Sequence, residues 1–201
     1  PTWYMFYETR FIQSFKCPED QHGPPSACYV KPLTTSVALE QAVASCFNEA
    51  LDGSCQCVDK CGEAGLPISL WNTTGLLNMN NLFRNRTSFN QDLSKWDTSR
   101  AIRMDDMFRN AKVFNGDISA WVVDGVRDMS NMFNGATAFN RRLANWRVGE
   151  GTNVTDMFKN ATAFHARFVC DDVDDGPPNA CVYASSPFAS DGVSLKQAID
   201  N

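Results

Sequence analysis

Eight cysteines are the residues whose type and spacing most directly suggest chemistry. Cys17 and Cys28 are eleven positions apart, as are Cys170 and Cys181, and each pair encloses a Gly-Pro-Pro loop. We expect two equivalent disulfides, because a repeated spacing within an even number of cysteines is typical of secreted domains. Closing a loop of this size contributes on the order of 3 kcal/mol of stability.

The remaining cysteines allow two kinds of site. They are Cys46, Cys55, Cys57 and Cys61. Cys46 lies within a helix that we predict from Ser36 to Ala50, and the other three follow this helix. Three disulfide pairings are open, and a Zn²⁺ site is the alternative because thiolates at such short spacings bind this metal. We favour disulfides, since the other two cysteine pairs already indicate an oxidising compartment.

Candidate catalytic groups are sparse. The two histidines, His22 and His165, have no accompanying serine or cysteine motif, and Gly-rich phosphate loops, HExxH and GxSxG are absent from the sequence. Asp105 and Asp106 resemble an acid–base pair, but they fall at a predicted helix start, where capping and the helix dipole explain them. We therefore expect no catalytic residue, no cofactor and no enzymatic activity.

The acidic run from Cys170 to Gly176 is a candidate Ca²⁺ site, because hard cations prefer several carboxylate oxygens. We favour a solvated loop instead, since the equivalent segment after Cys17 carries half as many acids. The sequence therefore predicts no resident metal ion.

Four Asn-x-Ser/Thr motifs are candidate N-glycosylation sites. Their asparagines are Asn72, Asn85, Asn153 and Asn160. Together with the cysteines they predict a secretory route, an extracellular or cell-surface location, and N-linked glycans on at least two of the four sites.

Charge and hydropathy exclude two classes of partner. The formal net charge of the 201 residues is −5, which argues against a nucleic-acid-binding protein. The longest uncharged stretch runs from Ala64 to Phe83 and contains a proline, two glycines and four asparagines, so we predict no membrane-spanning segment.

A repeat of 25 residues reveals the elements that must position these groups. Tryptophan, two phenylalanines and, in three copies, an asparagine recur in register. These ladders are Trp71, Trp96, Trp121 and Trp146; Phe83, Phe108, Phe133 and Phe158; Phe89, Phe114, Phe139 and Phe164; and Asn90, Asn115 and Asn140.

Each repeat is predicted to contain a short strand, a turn and a short helix. Apolar residues from Met104 to Phe114 recur at i, i+3, i+4, i+7 and i+10, which indicates one face of a helix. The spacing from Leu93 to Trp96 and beyond suits a strand. The predicted N-cap residues of the four helices are Asn80, Asp105, Ser130 and Thr155.

Two interpretations of the aromatic ladders compete. Stacked rings can form a platform for sugars or bases, or they can fill a core between stacked repeats. The strict register favours the core, and it favours a gap-filling role for the methionines over a metal site. We interpret the asparagine ladder as satisfying backbone groups in turns.

The repeats are similar to a known family. Residues 89–99 (FNQDLSKWDTS) and 128–133 (DMSNMF) resemble the BspA-like surface-protein repeats, first noted as a domain of unknown function in mycoplasma surface proteins, and residues 65–165 carry the pattern. The resemblance implies an α/β fold, namely a leucine-rich-repeat-like solenoid of 25-residue repeats flanked by small disulfide-rich helical modules. It also implies surface display, adhesion or assembly, and no known catalysis.

A larger repetition predicts the domain organisation. The Cys17 and Cys170 segments match at an offset of 153 residues, which suggests a unit within a longer tandem array. We predict four parts: the tail of a preceding solenoid, a cysteine-rich linker module, a four-repeat solenoid and the start of a second cysteine-rich module. Their bounds are 1–16, 17–64, 65–169 and 170–201.

The function predicted from these features is structural. We expect a module of an extracellular or cell-surface glycoprotein array or filament, with copies of itself, further tandem units or other surface and filament proteins as partners. The alternative is an adhesin or receptor whose solenoid face binds a protein or glycan, for which Arg141, Arg142 and Arg147 are the candidate patch. A secreted enzyme on a repeat scaffold is the third hypothesis, and it lacks a catalytic cluster.

Overall fold

The computed structural model describes residues 33, 35–55, 67–170, 172, 176 and 178–184. Its helices are α1 (Ser36–Glu49) and α2 (Thr162–Arg167), and its strands are β1 (Phe168–Val169) and β2 (Val182–Tyr183). Single 3-10 turns occupy Ile68–Leu70 and Pro178–Ala180. The predictions made for residues 1–16 and for His22, Cys17, Cys28, Cys57 and Cys61 lie outside the described residues.

The predicted α/β fold, a leucine-rich-repeat-like solenoid, is wrong. That fold requires a strand and a helix in every repeat, whereas residues 71–161 contain turns and isolated bridges without either element. Within the described residues, the one sheet is the antiparallel pair of β1 and β2, with Phe168 opposite Tyr183. The predicted helical character of the second flanking module is also absent where that module is described, since residues 178–183 form a 3-10 turn and β2.

Left-handed residues explain why the predicted helices do not form. Two positions in each 25-residue repeat have φ between 56° and 73°, and asparagine, aspartate or glycine occupies all of them. These residues tolerate the left-handed region, but a right-handed helix cannot pass through it. The first position is Asn81, Asp106, Asn131 and Asp156, and the second is Asn85, Asn110, Gly135 and Asn160.

Backbone hydrogen bonds run between residues 24 apart instead of along helices. The amides of Met79, Asn81, Phe83 and Asn85 donate to carbonyls in the next repeat, and the following two repeats reproduce this pattern at 2.7–3.0 Å. The amides in between, such as those of Met107 and Arg109, close tight turns by donating three residues back. Apolar residues three and four positions apart therefore lie on the same side of the chain because of these successive turns, and not because they belong to a helix.

The core is a set of parallel aromatic columns. The first phenylalanine of each repeat stacks on the next with ring centroids 5.4–5.7 Å apart, and the second does so at 5.8–6.1 Å. All these rings and the four ladder tryptophans are buried. The indole Nε1 of Trp121 donates to the carbonyl of Leu93 at 3.0 Å, and Trp96 and Trp146 make the equivalent bond. The buried rings therefore offer no face to a sugar or a base.

Helix α1 covers one end of the columns. Its N-cap Thr35 accepts a hydrogen bond from the amide of Ala38 through its hydroxyl, and the helix ends at Glu49, one residue before the predicted Ala50. Phe47 packs edge-on against Phe83 and Phe89 at 6.3 and 5.7 Å. A disulfide from Cys46 to Cys55 ties the helix to the chain that follows it, so the Zn²⁺ alternative fails for these two cysteines.

The β1–β2 hairpin covers the other end of the columns. Phe168 packs on Phe164 at 4.9 Å and on Tyr183 at 5.2 Å. The disulfide between Cys170 and Cys181 closes the connection between the two strands.

Replacing Trp121 with alanine should lower the free energy of unfolding by about 3–5 kcal/mol, because the change removes a buried ring. The measurement is denaturant unfolding. Val122→Ala is the control, since Val122 is 48% exposed, and it should change stability by less than about 0.5 kcal/mol. A loss below about 1 kcal/mol for Trp121→Ala would contradict a buried tryptophan column.

Replacing Gly135 with alanine should cost about 1–2 kcal/mol, because its φ is +73° and an added Cβ would collide with Oδ1 of Asn110. Gly125→Ala is the matched control, since its backbone is outside the left-handed region and its Cβ would meet the Ala101 carbonyl at 3.5 Å. Denaturant unfolding of both variants tests the left-handed turn, and equal losses would contradict it.

Candidate functional surface

The adjacent carboxylates Asp105 and Asp106 are held in separate ion pairs. Arg103 donates to both oxygens of Asp105, at 2.9 and 3.1 Å. Arg109 donates to Asp106 at 3.0 Å. The left-handed backbone at Asp106 lies within a turn, so these residues do not begin a helix as predicted. Each carboxylate serves a local ion pair, and the geometry does not unite them as an acid–base pair.

His165 and the acidic segment offer no metal site in the described part of the chain. Nε2 of His165 lies 2.7 Å from the carbonyl oxygen of Phe158, so this nitrogen donates a hydrogen bond. Of the carboxylates predicted as an acidic loop, only Asp172 is among the described residues. Within those residues, no group of three His, Cys, Asp or Glu side chains is placed to hold a metal ion.

The four sequon asparagines are exposed. Oδ1 of Asn72 accepts a hydrogen bond from the amide of Thr74 at 3.0 Å. Oδ1 of Asn153 accepts from both the amide and the hydroxyl of Thr155, at 3.2 and 2.8 Å. Asn85 and Asn160 occupy left-handed turn positions at φ 61° and 59°. The described structure therefore presents all four sequons at the surface.

Asparagine side chains also connect successive repeats. Oδ1 of Asn90 accepts from the amide of Asn115 at 2.8 Å, and Oδ1 of Asn115 accepts from the amide of Asn140 at 3.1 Å. Nδ2 of Asn110 donates to Oδ1 of Asn85 at 3.0 Å. The first two bonds satisfy backbone amides, and together the three bonds join the first three repeats along the outside of the columns.

One surface carries opposite charges at its two ends. We call it the charged face and define it by the segment that follows the second phenylalanine of each repeat, namely residues 90–97, 115–122, 140–147 and 165–169. The first two segments carry Asp92, Asp97 and Asp117 with the single cation Lys95. The last two carry four arginines and no carboxylate. These arginines are Arg141, Arg142, Arg147 and Arg167.

Short turns fix the acidic groups of the charged face. Oδ1 of Asp92 accepts from the amide of Ser94 at 2.9 Å, and Oδ1 of Asp117 accepts from the amide and hydroxyl of Ser119 at 3.0 and 2.7 Å. Hydrogen bonds from these serines hold the pKa of both aspartates below its ordinary value. Both groups are therefore charged at neutral pH.

Aromatic and backbone contacts orient the arginines. The guanidinium groups of Arg142 and Arg167 lie over the ring of Tyr183, at 5.4 and 5.6 Å from its centroid. Arg167 also donates to the carbonyl of Asn140 at 3.2 Å, and Nε of Arg141 donates to the carbonyl of Asn115 at 2.8 Å. The β1–β2 hairpin thus helps to set the basic end of the charged face.

Comparison with known proteins identifies the family. The model of the family described as "Mycoplasma protein of unknown function, DUF285" matches residues 55–169, which is more than half of the chain. The chain belongs to the DUF285 family. No curated protein and no solved structure matches the chain significantly.

Membership of DUF285 and the two disulfides indicate an extracellular or surface protein, since disulfides persist in oxidising compartments. Among the described residues, no helix has both the length and the apolar character needed to cross a bilayer. The matched region includes residues 65–165, in which the repeats resemble those of mycoplasma surface proteins.

Sequence reasoning missed the charged face as a whole. It singled out Arg141, Arg142 and Arg147, but it did not extend this patch to Arg167. The signal was available, because Asp92, Asp117, Arg142 and Arg167 are successive members of one 25-residue ladder. Their contact with the hairpin at Tyr183 could not be derived from the repeat.

Proposed function

We propose that this DUF285 protein is a structural module of an extracellular or cell-surface glycoprotein array or filament, built from tandem units of this kind. We propose, in addition, that it is one of the BspA-like surface proteins. Its partners are copies of itself, further tandem units, or other surface and filament proteins.

The observation that carries the proposal is the continuous connection between repeats. Twelve backbone hydrogen bonds between residues 24 apart join the four repeats in three equivalent steps of four. Two stacked phenylalanine columns run alongside them through the same four repeats. Such an arrangement resists bending and sliding, since any displacement breaks several bonds and ring contacts together. Stiffness along one axis suits a spacer or filament element.

Surface shape supports the same proposal. In the described part of the chain, open grooves of about 530 and 300 Å³ lie between neighbouring turns, beside Arg127 and beside Trp121, and a groove of about 430 Å³ lies between α1 and the first repeat. Ligand sites in proteins are usually deeper and bring several polar groups together over an apolar lining. A structural module needs no such cavity.

Electron microscopy of the full-length native protein from its source tests this role. We expect a regular fibre or array, with an axial repeat that corresponds to the 153-residue sequence unit. Antibody against the exposed turn at Asp124 and Gly125 should label the fibre at that interval, with antibody pre-absorbed on the purified chain as the control. Discrete, unassembled particles would contradict the proposal and favour the adhesin or receptor alternative.

Glycan occupancy is a separate prediction of the proposal. Expression through a eukaryotic secretory route should add N-linked glycans to at least two of the four exposed sequons. Intact mass before and after enzymatic deglycosylation, with Asn→Gln variants of each sequon, measures it. Asn145→Gln is the control, since Asn145 is exposed but lies outside a sequon, and it should leave the glycan mass unchanged. Fewer than two occupied sites would overturn the prediction.

A further inference from the structure

A column of four charges runs along the charged face. Asp92, Asp117, Arg142 and Arg167 occupy the same position in four successive repeats, and all four residues are exposed. The phenylalanine rings three positions earlier stack at 5.8–6.1 Å, which sets the spacing of the column. Two negative charges are therefore followed, along one line, by two positive charges.

The charges of this column are not paired with one another. Within the described residues, none of the four makes an ion pair within 4.0 Å, although Asp105, Asp106, Asp128 and Asp156 all do. Arg141 lies close enough to Asp117, and Lys95 to Asp92, to lower the pKa of the respective carboxyl group through charge. Among the described residues, neither cation comes within 4.0 Å of the carboxylate beside it.

An antiparallel copy of the same column complements this pattern. A two-fold axis that passes between Asp117 and Arg142 places Asp117 of each copy opposite Arg142 of the other copy. Asp92 then lies opposite Arg167 by the same operation. Pairing in the parallel direction would instead place like charges together, so the column specifies orientation as well as partner.

Small residues beside the column permit close approach. Gly116, Ala120, Ala144 and Ala166 are small residues at neighbouring surface positions, each of them exposed or half-buried, whereas the equivalent positions of other repeats carry Gln91, Lys95, Arg141 and Asn145. The charged groups are also held in place, by the serine turns at the acidic end and by Tyr183 at the basic end. Little side-chain freedom is lost when such groups meet their partners.

We propose that the charged face binds the same face of a second copy of this chain, side by side and antiparallel, through the pairs Asp92–Arg167 and Asp117–Arg142. The inference rests on the proposed structural role, for which it names the lateral contact. Exposed ion pairs are individually weak and are screened by salt, so the contact is weak between single chains. When two filaments lie side by side, their tandem units form many such contacts at once, and avidity then strengthens the binding.

Sedimentation velocity of the 201-residue chain tests the pairing. At about 20 mM salt we expect concentration-dependent dimers, and at about 0.5 M salt the dissociation constant should rise about tenfold or more. Asp92→Asn with Asp117→Asn should weaken dimerisation to a similar degree, since asparagine keeps the serine hydrogen bond but removes the charge. Glu40→Gln with Glu49→Gln is the matched control on α1 and should leave dimerisation unchanged.

Charge reversal supplies the decisive comparison. Asp92→Lys with Asp117→Lys, and Arg142→Glu with Arg167→Glu, should each give monomers alone and dimers when mixed in equal amounts. If loss of both Tyr183 contacts prevents folding, as circular dichroism would show, Asp117→Lys alone and Arg142→Glu alone replace the two variants, because Arg167 then stays over the ring. A mixture that stays monomeric overturns the inference, as does loss of dimers only in the arginine variants, which would indicate an anionic partner.

The outcome separates this inference from the structural role. Native fibres together with a monomeric chain at low salt would overturn the lateral contact and leave the role intact. Discrete native particles together with charge-dependent dimers would overturn the role and leave the contact in place.

Discussion

The hydrogen bond from one backbone amide to a carbonyl 24 residues later is the interaction on which the rest of the structure depends. Every second amide between Met79 and Asn85 makes it, whereas the amide of Arg84 closes a tight turn by donating to Asn81 and that of Asn80 donates to Oδ1 of Asn78. This division is feasible because two residues in each repeat adopt the left-handed conformation that turns the chain back on itself. Without them, the same amides would find partners within a helix.

The side-chain ladders follow from this backbone register. Once residues 25 apart lie beside one another, identical side chains meet, and identical rings stack at nearly equal distances. Polar ladders on the outside obey the same rule, so Asn90, Asn115 and Asn140 satisfy each other's turn amides. When the same position of every repeat carries a ring, an amide or a charge, these groups form a continuous column.

In the proposed lateral contact, the partner is specified by how the exposed columns differ from one repeat to the next. The buried aromatic columns are uniform, because a change of ring volume would leave a void or a clash. Exposed columns are free to vary, and on the charged face they change sign between the second and third repeats. A surface protein of the DUF285 family can thus keep one scaffold while it changes the charge pattern that it offers to a neighbour.

The sequence by itself determined the register of the core, and its even number of cysteines indicated disulfides and the surface character of the protein. A strict period reports which residues are equivalent, and equivalence was enough to predict the aromatic columns from Trp121 and Phe108. It was not enough to predict the fold, because apolar spacings of three and four suit consecutive turns as well as a helix. The asparagine, aspartate and glycine residues at positions such as Asp106 and Gly135 carried the contrary signal.

Only the tertiary structure decided which groups are partners across the chain. An amide that bonds 24 residues away leaves no local pattern, so the sequence could not distinguish a stack of turns from alternating strands and helices. The pairing of Cys46 with Cys55 was decided in the same way, by how the end of α1 meets the loop after it. Tyr183 reaches Arg142 and Arg167 because the hairpin folds back over the last repeat, which is a matter of three-dimensional packing rather than of residue type.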